Sequence, residues 1–250
     1  MLRKLIVLFA VTFVPAFALA AASGDELTTT VQWKMHLDPE GRITALEPKG
    51  STIDAVRQKL EPVVRSWSFV PGTVNGEPAG TDTLLSVQVT LAPLPDGEQF
   101  SLRIDDARTG GFVADASTPP RFPAKEVRKL LDGDGYASFF YEVGFDHDGV
   151  PTSVVLAHRS GATKGSLGKL AEEAVRSWTY EPERVAGVGV PGSVVVPVCF
   201  SVGSSPRSAQ RNSSHCRWNQ PGSKAAVEEG QSLALESSAS LKSDVVGRVL

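Results

Sequence analysis

Apolar and polar residues alternate along Val31, Trp33, Met35 and Leu37, and again along Phe139, Tyr141, Val143 and Phe145. A period of two puts one set of side chains on one face of a pleated chain, so each run predicts a half-buried β-strand. A turn sequence follows each run, "DPEG" at Asp38–Gly41 and "DHDG" at Asp146–Gly149. The chain then returns as a second strand, over Arg42–Glu47 and Thr152–Leu156. Next the period lengthens. Ile53, Val56, Leu60, Val64 and Trp67 fall at helical spacing, as do Leu167, Leu170, Ala171, Ala174, Val175 and Trp178. Pro62 should kink or shorten the first helix, and Ser166 stands where an N-cap would open the second. A third alternating run closes each series: Leu85, Val87, Val89 and Leu91, then Val194, Val196, Val198, Phe200 and Val202.

The two series also share letters. Val64-Arg65-Ser66-Trp67 is spelled again at Val175-Arg176-Ser177-Trp178. At the same offset Phe69 matches Tyr180, Pro71 matches Pro182 and Gly76 matches Gly187. The distance from turn to Trp is three residues longer in the second copy, an insertion that a loop tolerates. This reads as two related units in tandem. The shared letters suit a packing corner. Trp67 and Trp178 would cover the open end of a small helix-on-sheet core. Pro71 and Pro182 keep the helix from resuming. Arg65 and Arg176 sit at the helix end that favours cations.

Chain direction then sets a topology. Strands one and two form an antiparallel hairpin. The helix reverses the chain, so an all-antiparallel sheet needs strand three beside strand one. The expected fold class is α+β: two tandem three-stranded antiparallel sheets of order 2-1-3, each packed on a helix. The third strand is then an edge. Pro197 agrees, because proline is confined to edges. The other third strand, "LLSVQVTL" at Leu84–Leu91, has neither proline nor charge. Such an edge can accept another strand. The expected partner-binding residues are Leu85, Val87, Val89, Val194, Val196 and Val198. One alternative stays open. "EQFSLRI" in the linker alternates enough to form an extra strand beside "LLSVQVTL", turning at Pro95-Asp96-Gly97, and would cover that edge.

From residue 117 to 203 the order of motifs resembles the TonB C-terminal domain family. The motifs are Phe122-Pro123, Gly135, the hairpin Asp146–Gly149, Trp178-Thr179-Tyr180-Glu181-Pro182, and the valine-rich Val194–Phe200. Residues 27–93 resemble the family from their first strand onward and lack the aromatic-proline opening. The resemblance implies a periplasmic domain that contacts outer-membrane receptors by accepting an extended segment at its third strand. The family's energy transducer also has a membrane anchor and a long proline-rich spacer. Between Ala22 and Val31 there is no such spacer. The expectation is therefore a non-enzymatic module that binds a protein partner in the cell envelope. The alternative is a shortened transducer, anchored by its N-terminus, serving outer-membrane transport.

The ends and the composition complete the division into parts. Arg3 and Lys4 precede a short apolar run, and Ala18-Leu19-Ala20 is a small-x-small cleavage site, so residues 1–20 read as an export signal. The apolar run is short for a bilayer span, which needs about twenty residues. Residues 94–116 form the linker, and 204–250 a Ser-rich tail that is partly disordered. In an oxidising compartment Cys199 and Cys216 are a disulfide candidate; two free thiols are the alternative. A bridge would fold the tail over the sheet face away from the helices, with Trp218 near enough to pack there. The net charge of -3 gives no basic footprint for nucleic acid. The four histidines lack zinc-like spacing, "GATKGSLGK" fails the phosphate-loop spacing, and no G-x-S-x-G occurs. No cofactor, metal or small-molecule substrate is expected.

Overall fold

A computed structural model describes residues 26–50, 53–94, 100–116, 135–161, 166–201, 215–221 and 226–250. The export signal, the Phe122-Pro123 motif and Val202 lie outside them. The described chain is mostly strand, with two helices. Its longer elements are β1 (Leu27–Leu37), β2 (Ile43–Lys49), α1 (Asp54–Val64), β3 (Thr81–Pro93), β4 (Phe100–Gly110), β5 (Tyr136–Phe145), β6 (Pro151–Gly161), α2 (Leu167–Ser177) and β7 (Gly192–Ser201).

The first sheet runs β2-β1-β3-β4, antiparallel throughout. Its odd-numbered β1 side chains, Val31 to Leu37, are buried against Val56, Leu60 and Val64 of α1. Pro62 lies inside α1, which ends two residues later. Ile53 is exposed, whereas Trp67, just past the helix, is buried in the core. The second sheet runs β6-β5-β7, and Leu233–Ala234 adds a short fourth strand beside β7. Its core joins Phe139, Tyr141 and Val143 to Leu167, Ala171 and Val175 of α2. Ser166 precedes α2 but makes no side-chain cap hydrogen bond, so its expected capping role is corrected.

Corresponding corners have matching geometry. The Gly41 carbonyl accepts the Phe69 N–H at 3.0 Å, and the Gly149 carbonyl accepts the Tyr180 N–H at 3.2 Å. Arg65 bonds Glu61 at 2.7 Å and Arg176 bonds Glu172 at 2.8 Å, each one turn back along its helix. A small hairpin follows each corner, Thr73–Pro78 and Arg184–Gly189. Both turn through two residues of positive φ, Asn75-Gly76 and Ala186-Gly187, the backbone that two-residue hairpins demand.

The tail binds the two halves. Cys216 is bridged to Cys199, and Trp218 packs on Phe140, with ring centroids 5.6 Å apart. Val227 and Leu233 complete this cluster on the face of the second sheet away from α2. Residues 236–250 then strap the first sheet. Ser240–Leu241 pair with Phe69–Val70, and Ala239 and Val245 enter the first core. Finally Leu250 exchanges two backbone hydrogen bonds with Leu102 on the outer flank of β4.

Candidate functional site

The expected edge at Leu85, Val87 and Val89 is not open. β3 is paired with β1 on one side and with β4 on the other, in register from Leu84–Gly110 to Pro93–Phe100. The hairpin strand Arg184–Val185 covers the remaining Thr81–Asp82. The linker carries the covering strand, and the side chains of Leu85, Val87 and Val89 are core residues on the sheet face packed on α1.

β7 differs. On its outer side it pairs, among the described residues, only at Val194 and Val195. The Ser193 carbonyl accepts the Leu235 N–H at 3.0 Å. By alternation, the backbone groups of Val195, Pro197 and Cys199 face the same way. Pro197 has no N–H to offer, so its place on this flank loses no ladder bond. The side chains of Val194, Val196 and Val198 are buried against α2. The expected partner-binding valines are thus core residues, and the neighbouring Val195 and Pro197 are buried as well.

A cavity of about 430 Å³ lies alongside this stretch of β7. Val196, Pro197, Val198 and Cys199 form one wall, and Gln32 and Lys49 of the first sheet line it as well. Val113 and Trp178 add apolar surface. Lys49 is half-buried. Its Nζ donates to the Val113 carbonyl at 3.3 Å and stands 4.0 Å from the Phe112 ring centroid. Burial holds its pKa below the usual amine range, opposed by nearby Glu181.

A smaller cleft of about 250 Å³ opens elsewhere between the halves. Lys34 pairs with Glu181 at 2.8 Å, and His36 Nδ1 lies 2.6 Å from Asp82. Behind them Glu183 is buried. It accepts from the Thr83 hydroxyl at 2.5 Å, the Ser237 hydroxyl at 2.7 Å and the Ser238 N–H at 2.5 Å. This carboxylate joins the first sheet, the corner of the second and the strap. The His–Asp pair is partly exposed, and Thr83, which donates to Glu183, is buried. No group of three or more His, Cys, Asp or Glu is placed to hold a metal among the described residues. No helix among them is long and apolar enough to cross a membrane.

Two of these residues escaped the sequence reading. Glu183 occupies the place of Gly72 after the matched prolines, so a departure from the repeat was its one signal. Lys49 ends β2 and carries no pattern. Searches against family models, curated proteins and solved structures found no match to this chain.

Proposed function

We propose that this chain is a non-enzymatic, periplasmic protein-binding module made of two tandem TonB C-terminal-like units. Each unit is a 2-1-3 antiparallel sheet backed by one helix, with the signal at residues 1–20 removed. It binds an envelope protein, with an outer-membrane receptor as the family-like candidate, by accepting an extended segment on β7. One observation carries this reading: among the described residues the outer side of β7 is paired only from Ser193 to Val195, beside a cavity with partly apolar walls. Backbone donors and acceptors without a strand partner are what an added strand satisfies. The matched corners at Gly41 and Gly149 support the tandem origin, since a methyl group at either would stand 1.9 Å from the carbonyl oxygen of Phe69 or Tyr180.

A photo-crosslinking residue at exposed Ser201, used in living cells, tests the docking flank. Adducts with outer-membrane proteins are expected from Ser201 and not from Val155 on β6. No adduct, or the same adducts from both positions, refutes it. Edman sequencing tests the export signal: a mature chain starting at Ala21 fits the module, and one starting at Met1 fits the anchored transducer.

A further inference from the structure

We propose that the groove beside β7 selects an acidic extended segment, and that Lys49 of the first sheet reads its carboxylate. This rests on the strand-addition reading above and adds the partner's chemistry.

The groove meets β7 edge-on. Four consecutive residues, Val196 to Cys199, line it. Successive side chains point to opposite faces, so a space touching four in a row lies along the strand's flank. An added strand would run about 4.8 Å from β7. The groove it would enter is lined by Gln32 and Lys49 of the first sheet as well as by β7. The site is thus composite, with its hydrogen-bonding flank from one half and its charge from the other.

Lys49 is short of partners. Its Nζ can donate three hydrogen bonds; among the described residues it makes one, to the Val113 carbonyl, beside its contact with the Phe112 ring. No carboxylate lies within ion-pair distance of it among the described residues. Glu181 is held by Lys34 at 2.8 Å, and Glu229, the one acid among the described residues that line the groove, is exposed. A half-buried ammonium already lacks part of its hydration, as its lowered pKa reflects. A neutral segment would strip more water and return nothing. A carboxylate would return a charge-assisted hydrogen bond where water is scarce. Val113 and Trp178 favour small apolar side chains beside the acid.

The test uses the full chain and capped six-residue Val/Thr peptides. One aspartate is walked through the peptide, and each has an asparagine twin. Binding is followed by NMR at the Cys199 and Ser201 amides. In at least one position the aspartate peptide should bind about five- to tenfold tighter than its twin, the range of a partly shielded ion pair. Lys49→Met should erase that difference without weakening the twin, and Lys49→Arg should keep it. Equal binding of both twins at β7 overturns the acid selection but leaves strand addition standing. Binding of neither peptide, or shifts centred on β6, overturns both.

Discussion

Replacing Gly149 with alanine puts a methyl group where there is no room. Its Cβ would stand 1.9 Å from the Tyr180 carbonyl oxygen and 2.9 Å from the carbonyl carbon, at a φ of +80°. Gly187 has the same φ of +80°, but nothing lies within 4 Å of its Cβ position. The two substitutions therefore separate conformation from crowding. At Gly187 the alanine carries only the left-handed backbone cost, about 1–2 kcal/mol. At Gly149 the Tyr180 carbonyl must also move. That strains the 3.2 Å hydrogen bond from the Tyr180 N–H to the Gly149 carbonyl, and losing a buried bond adds about 1–3 kcal/mol. Gly149→Ala should then lose about 2–5 kcal/mol in all. The first half repeats the comparison. At Gly41 the Cβ would meet the Phe69 oxygen at 1.9 Å, whereas at Gly76 nothing lies within 4 Å. Urea unfolding followed by tryptophan fluorescence measures all four, compared at constant m. If Gly149→Ala and Gly187→Ala lose the same stability, the corner yields cheaply and the argument for a rigid joint fails.

Other substitutions probe the tail and the turns. Glu183→Ala removes the acceptor shared by the Thr83 and Ser237 hydroxyls and the Ser238 N–H; a loss of about 2–4 kcal/mol is expected, with faster amide exchange at Ala239–Leu241 and a smaller effect for Glu183→Gln. Removing the disulfide with Cys199→Ser and Cys216→Ser, which are 17 residues apart, should lose about 3 kcal/mol by chain entropy and red-shift Trp218 emission as that ring leaves Phe140. The Asp146 carboxylate accepts the Val150 and Asp148 N–H groups, and these bonds, Val150's foremost, lower its pKa below 3.8. A depressed acid contributes stability above its unfolded value and loses it as pH falls through the folded one, so NMR titration should place the Asp146 midpoint below 3.8, and Asp146→Asn should remove the turn's acid response.

The legible parts of the sequence are those with local causes. Val31–Leu37 and Phe139–Phe145 alternate because one face of each strand rests on a helix. The glycines at Gly41 and Gly149 mark turns because their backbone has positive φ. β4 is half legible. Leu102 and Ile104 enter the core, while Asp105 and Asp106 break the pattern across a bulge in the β3–β4 register. The strap is silent because its paired stretches, such as Ser240–Leu241, are too short to show a period and their partners lie far away in sequence. Pro197 is informative for the opposite reason. A missing N–H is a property of the residue itself, and it points to an outer flank whatever the distant partners are.

The strap also dictates an order of assembly. Ser243 donates to or accepts from groups on Ser68 across 175 residues, and residues 247–250 reach back to Leu102–Ile104. A ribosome delivers β4 long before it delivers the segment that shields it. The half synthesised first is thus the half completed last, and until then it carries a bare flank that invites wrong neighbours. Such distant pairing makes closure slow, so the unshielded β4 is the surface on which wrong pairing would begin.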